Sequence, residues 1–216
     1  MKKLLLALAA TGLLFTSCEK DPDFDKMSTD LTVYTDYDNN TDFKTSGITY
    51  FIPDSIYSPS SVTKEQWLKG KTAETIVGQI VSDLNKQGYT RITDDSQKDK
   101  ADFGVQVTLI NKNTVVSGIV GGYDPWWGYG FWGNWWSGYY YPSWYPVTYS
   151  YNTGSLVMEL VNLQKKDSDN KQLPIVWRAN CKGLFSGNAT IDTQLIQRAV
   201  HQAFNQPPFA AINSNK

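Results

Sequence analysis

The order of hydrophobic and polar positions from residue 31 onward predicts a series of strands. Apolar and polar residues alternate in Leu31–Tyr37 and in Phe103–Leu109, as in strands that bury one face. Leu156–Leu163 is apolar on both faces apart from Glu159 and Asn162, which predicts a central strand. The predicted strands are 31–37, 48–52, 103–109, 156–163 and 175–185.

Two other stretches carry the helical period. Residues 73–87 place apolar side chains at helical spacing and are followed by Gly88, a residue suited to end a helix. Residues 191–204 show a second apolar stripe, and the pair Pro207-Pro208 stops it. Thr63 and Gln66 resemble a capping box, which predicts a further short helix that runs through Trp67.

Strands followed by single helices predict an α+β fold. We expect a two-layer sandwich in which a mostly antiparallel sheet carries both main helices on one face. One domain over 30–210 accounts for all of these elements, with a long aromatic-rich and glycine-rich loop inserted at 118–153.

The first residues read as a targeting signal. Lys2 and Lys3 precede an apolar run of twelve residues, which is too short to span a bilayer and is typical of a secretory signal peptide. The run ends in small residues before Cys18, which resembles a bacterial lipobox. We therefore expect a signal peptide at 1–17, diacylglycerol and fatty acyl chains such as palmitate on Cys18, and a flexible tether at 18–29.

Composition excludes several classes of protein. Twenty basic and 21 acidic residues leave a net charge of −1, so nucleic acid is a poor partner. Two cysteines and one histidine are too few for a four-ligand Cys/His zinc site or a disulfide framework. We expect no metal and no cofactor.

The residue pattern does not favour an enzyme. His201, the only histidine, falls on the predicted solvated face of the last helix, and Cys181 falls on the core face of the last strand. Because no spacing singles out a pair of carboxylates, we expect no catalytic residues. The alternative is a hydrolase acting on glycans of the cell envelope.

One segment departs strongly from average composition. Residues 123–151, here called the aromatic segment, hold fifteen aromatic residues and a single charged residue, Asp124. Because a large aromatic side chain gains several kcal/mol from burial, at ~25 cal/mol per Å², these rings need cover from the domain itself, a sugar, lipid headgroups or another protein. The candidate binding residues are Trp126, Trp127, Trp132, Trp135, Trp136, Trp144, Tyr139 and Tyr140.

Three short motifs carry a family resemblance. Ala101-Asp102-Phe103, Gly154-Ser155-Leu156-Val157 and Val176-Trp177-Arg178, behind the lipobox, resemble an uncharacterised bacterial lipoprotein family, domain of unknown function 4136. The resemblance covers most of residues 30–205. It implies the fold and the location, and it brings no established activity, substrate or catalytic residue.

Together these patterns predict a lipoprotein of a Gram-negative cell envelope with a non-catalytic binding or structural role. We expect it in the outer membrane, on the periplasmic or the cell-surface face. Its expected partners are the membrane, reached through the lipid anchor, and a glycan or an envelope protein.

Overall fold

The computed structural model describes residues 31–44, 46–58, 67–110, 114–116, 149–151, 154–165, 173–185 and 189–210. The predicted signal peptide, the tether and residues 117–148 lie outside these ranges.

The described residues form ten strands, two α-helices and one 3-10 helix. The strands are β1 (Thr32–Tyr37), β2 (Thr49–Phe51), β3 (Ile56–Tyr57), β4 (Trp67–Leu68), β5 (Thr90–Ile92), β6 (Phe103–Ile110), β7 (Thr114–Val116), β8 (Tyr149–Tyr151), β9 (Ser155–Asn162) and β10 (Ile175–Lys182). The helices are α1 (Lys71–Lys86), the 3-10 helix Asp95–Lys100, and α2 (Ala189–Phe204).

The main sheet is open and mixed, with antiparallel pairs in the majority. Its order is β1-β10-β9-β6-β2-β5, and β3 pairs with β6 beyond the end of β2 while β4 pairs with β3. β1, β10, β9 and β6 are antiparallel neighbours, whereas β2 runs parallel to both β5 and β6. β7 and β8 form a separate two-stranded ladder. This architecture confirms the predicted α+β fold.

Both α-helices pack on one face of the sheet, as predicted. Ile76 and Ile80 of α1 and Val200 of α2 are buried in the same cluster as Val107 of β6 and Trp177 of β10. The spacing of these helical positions follows the 3.6-residue period, so each helix turns one apolar stripe to the sheet.

Helix α1 ends where the sequence predicts. Gly88 follows it with a φ of +96°, a conformation that favours glycine over residues with a side chain. The helix begins at Lys71, two residues earlier than expected.

Several local predictions were wrong. Trp67 lies in a strand rather than at the end of a short helix, since β4 pairs with β3, and residues 63–66 lie outside the described residues. β10 ends at Lys182 because Gly183 takes a φ of +76°, and Phe185 is therefore exposed rather than in the core. β6 is buried at all eight positions and not on one face only.

Candidate functional site

The predicted site residues fall outside the described residues. This holds for Cys18 and for Trp126, Trp127, Trp132, Trp135, Trp136, Trp144, Tyr139 and Tyr140, and their roles stay predictions. The described backbone does place the two points between which residues 117–148 run, because Val116 of β7 pairs with Tyr149 of β8.

The sheet face opposite the helices carries a cluster of polar side chains. Gln106 pairs with Glu159 across β6 and β9, Glu159 pairs with Arg178 of β10, and Arg178 pairs with Asp36 of β1. Directly paired residues point to the same side of a sheet, so these four form one transverse row. In the next row, Thr108, Val157, Asn180 and Tyr34 are paired in the same order.

A buried ion pair lies at the centre of this face. Arg178 donates from Nη2 and Nε to the same oxygen, Oε1 of Glu159, at 2.6 and 2.7 Å. Glu159 is buried, and Arg178 is mostly so. Because the two charges compensate each other, the pair itself carries no net charge.

Two amide side chains beside the pair have buried polar atoms without a hydrogen-bond partner. Within the described part of the chain, Oε1 of Gln106 and both amide atoms of Asn180 have none. Gln106 is 2% exposed and Asn180 is 5% exposed, so water does not reach these atoms freely. Buried polar atoms are nearly always hydrogen-bonded in folded proteins, which makes this face unusual.

Exposure on this face increases toward the sheet edge formed by β1. Tyr34, the direct neighbour of Asn180, is 55% exposed. It is one of two large hydrophobic side chains that are exposed among the described residues, and Phe185 is the other. An exposed aromatic ring therefore lies next to an unpartnered amide.

The sequence contains these residues in a visible pattern, but the prediction of the site missed them. Polar residues at every second position of β6 and β10 predict a shared polar face. The register that sets Arg178 against Glu159 and Tyr34 against Asn180 depends on the strand pairing, which the sequence does not display.

His201 has a partner that its sequence context did not predict. Its Nδ1 lies 3.1 Å from Oδ1 of the buried Asp83 in α1, and Nδ2 of Asn205 lies 3.0 Å from its Nε2. The ring therefore lies between Asn205 of its own helix and Asp83 of α1. The side chain is half exposed and joins the two helices rather than serving a nucleophile.

Cys181 lies in the core, as predicted. Burial raises the pKa of its thiol to about 12, so it is protonated and unreactive at neutral pH. Among the described residues, no group of three or more His, Cys, Asp or Glu side chains is placed to bind a metal. No helix in the described part of the chain is both long and apolar enough to cross a membrane.

The fold and this face define a class: an α+β sandwich with helices on one side of an open sheet and polar side chains on the other. The sequence over residues 33–209 matches the family described as domain of unknown function, DUF4136. The chain belongs to this family.

A solved structure of the same family is similar over nearly its whole length. A DUF4136 family protein from Bacteroides thetaiotaomicron is 36% identical, with 83% of this chain and 96% of that chain covered and a TM-score of 0.66. No curated protein matches this chain.

Two more distant structures have lower scores. PelC from Paraburkholderia phytofirmans, solved as a dodecamer, is 10% identical over 81% of this chain and 98% of its own, with a TM-score of 0.37. A PDZ domain protein from Parabacteroides distasonis is 13% identical over 86% of this chain and 38% of its own, with a TM-score of 0.39. Neither score is high enough to indicate a common fold.

Proposed function

We propose that the protein is a lipoprotein of the outer membrane, anchored through Cys18, with a non-catalytic binding or structural role. The aromatic segment is its contact surface for a glycan, the membrane or an envelope protein. The observation that supports this is that β1, the strand that follows the tether in the chain, begins at the same end of the sheet as the one where the β7–β8 ladder is attached.

The strand register gives this arrangement. β1 begins at Thr32, which pairs with Lys182, the last residue of β10. Its neighbour Cys181 pairs with Leu156 near the start of β9, and Leu156 pairs with Leu109 near the end of β6. The β7–β8 ladder, whose second strand is the last part of the aromatic segment, is inserted between β6 and β9. The ladder is therefore attached at the end of the sheet where β1 begins.

The tether is short. Residues 19–29 have a coil length of ~5–6 Å × √11, about 18 Å, between the lipidated cysteine and the domain. With Cys18 in the membrane, this end of the sheet stays near the lipid headgroups. Tryptophan and tyrosine side chains are favoured in that layer because the rings are apolar and carry a polar group.

The anchor is tested by changing Cys18 to Ala. We expect the variant to lose acylation and to leave the membrane fraction, because the thiol receives the diacylglycerol. Mass spectrometry of the purified protein identifies the first residue and its lipid. A mature chain that begins at a residue other than 18, without lipid, would contradict the proposal.

The contact surface is tested by the triple change of Trp132, Trp135 and Trp136 to Ala in the full chain. If these rings bind a partner, binding of polysaccharides or outer-membrane vesicles is lost while the melting temperature is kept. Tryptophan emission should then be red-shifted in the free protein and should move to the blue on binding. The matched control is Trp67→Ala, because Trp67 packs against Tyr57 and should cost stability without affecting binding.

Two outcomes would overturn this part of the proposal. A blue-shifted emission without any partner, with a large loss of stability in the triple variant, would assign the segment to the core. Release of product in a glycan-hydrolysis screen, abolished by one Asp or Glu substitution, would make the protein a hydrolase.

A further inference from the structure

We propose that the polar face beside β1 is a saccharide-binding site, formed by the Tyr34 ring and the Asn180 amide with Gln106, Glu159 and Arg178 behind them. The inference rests on the binding role proposed above and names a ligand class. It concerns described residues of the sheet, none of which belongs in sequence to the aromatic segment.

The unpartnered amides are the first observation. Within the described residues, Asn180 has neither a donor for its Oδ1 nor an acceptor for its Nδ2, and Gln106 lacks a donor for its Oε1. A buried polar group without a partner destabilises the fold, so an apolar residue of similar size would suit a purely structural role better. Val157, which lies between Thr108 and Asn180 in the same row, has such an apolar side chain. The amides are therefore best explained as groups that bind a molecule the fold does not supply.

The chemistry of the groups defines that molecule. An amide both donates and accepts, so its partner needs groups that do the same, as hydroxyl groups do. The charges of Glu159 and Arg178 compensate each other at 2.6 Å, and the Asp36 carboxylate in the same row disfavours an anion, so a neutral ligand meets no opposing charge. A neutral molecule with several hydroxyl groups is a saccharide or a related polyol.

The position of Tyr34 favours a saccharide as the ligand over a simpler polyol or bound water. The ring is 55% exposed and lies on the same face as Asn180, one strand away, a spacing of ~4.8 Å. A sugar ring places its C–H groups against an aromatic ring and its hydroxyl groups at the edge. A single sugar unit on Tyr34 would therefore lie next to Asn180 at the exposed edge of the sheet. Because Asn180 is 5% exposed, binding has to uncover its amide.

The test uses the full-length lipoprotein in a detergent without a sugar headgroup. Glucose, mannose and N-acetylglucosamine are titrated while NMR follows the side-chain amide of Asn180 and the ring of Tyr34, with glycerol as the control polyol. We expect at least one sugar, and not glycerol, to shift both signals. Asn180→Leu, which keeps the branching of the side chain and removes the amide, should abolish binding, and Tyr34→Thr should weaken it by about tenfold or more.

The matched control is Phe185→Thr, which removes the other exposed aromatic residue and should leave the affinity unchanged. Circular dichroism confirms that each variant folds, and Tyr34→Thr, being at an exposed position, tests the site even where Asn180→Leu does not fold. Unchanged signals with all three sugars would overturn the inference, as would wild-type affinity in both Tyr34→Thr and Asn180→Leu. Sugar binding that is lost only in the Trp132, Trp135 and Trp136 variant would overturn it too, while leaving the proposed function intact.

Discussion

At the scale of single residues, the same chemical pair occurs in two environments. Arg178 and Glu159 meet in the interior, whereas Arg91 meets Asp54 at 2.6 Å on the surface, where the Asp54 side chain is 90% exposed. Water screens the charges of the surface pair. In the interior pair, water does not solvate a charge whose partner has been removed. The two pairs should therefore differ greatly in the cost of losing one partner.

We expect Arg178→Met to lower the free energy of unfolding by about 3–5 kcal/mol, because it leaves the Glu159 carboxylate buried without its cation. The matched variant Asp54→Asn should change it by about 1 kcal/mol or less. Urea unfolding at neutral pH measures both. Adding Glu159→Met to Arg178→Met should recover much of the loss, and equal effects of the two single variants would show that the interior pair is solvated.

At the scale of elements, helix α1 contains a glycine that its environment does not require. Gly78 lies on the exposed side of the helix, and a Cβ built there meets no atom within 4 Å. Gly154, just before β9, is the opposite case: its φ is +86° and a Cβ would lie 3.0 Å from Cδ2 of Phe185.

We expect Gly78→Ala to raise the free energy of unfolding by about 0.5–1 kcal/mol, since alanine loses less backbone entropy in a helix. Gly154→Ala should lower it by about 1–3 kcal/mol, from the positive φ and the close ring. Thermal and urea unfolding of both variants, compared with the wild type, give the two values. A destabilised Gly78→Ala would mean that another surface covers this side of α1.

The long elements were predictable from sequence because each carries a pattern of its own, which is a continuous apolar run in β9 and a period in the others. Helices α1 and α2 and strands β6, β9 and β10 have eight or more residues, which is enough to display such a pattern. The pairs β3–β4 and β2–β5 have two or three residues per strand. These short strands form because the edge of β6 is available for pairing. A pattern of two or three residues does not indicate which strand, distant in sequence, will be the neighbour.

The candidate site was predictable only in its residue types. Alternation puts Gln106, Arg178 and Asn180 away from the helices, yet a one-residue change of register would move a whole strand to the other face. The pairing of Tyr34 with Asn180 places the site at the exposed edge of the sheet. This pairing depends on the whole strand order β1-β10-β9-β6. Sequence alone gave no reason to connect residue 34 with residue 180.

At the scale of the whole molecule, stability should depend on alkaline pH. Burial raises the pKa of Tyr50 and of Cys181 to about 12, and it raises the pKa of Tyr89 further still. In the unfolded chain these groups ionise near their ordinary pKa values, about 8.5 for cysteine and about 10 for tyrosine. The native state therefore holds protons that the unfolded state has released.

We expect the free energy of unfolding to fall as the pH rises from about 8.5 toward about 12, because the unfolded state binds fewer protons there. Each pKa unit of difference between the two states contributes about 1.4 kcal/mol. Urea unfolding at a series of pH values measures this slope. Tyr50→Phe loses the hydrogen bond to Asn85, so it should be less stable at neutral pH but show a shallower decline, and an identical slope in both proteins would contradict the assignment.

The position of β1 also determines how the domain bears a mechanical load. A tension applied at residue 31 acts along the axis of β1, while the described residues after α2 lie at the opposite end of the sheet, where Phe209 packs on Trp177, the partner of Tyr37. All six residue pairs between β1 and β10 then resist the pull together, in shear, rather than opening one after another like a zipper. When the domain is pulled by its N-terminus, β1 should therefore stay paired with β10 until all pairs of this ladder break together.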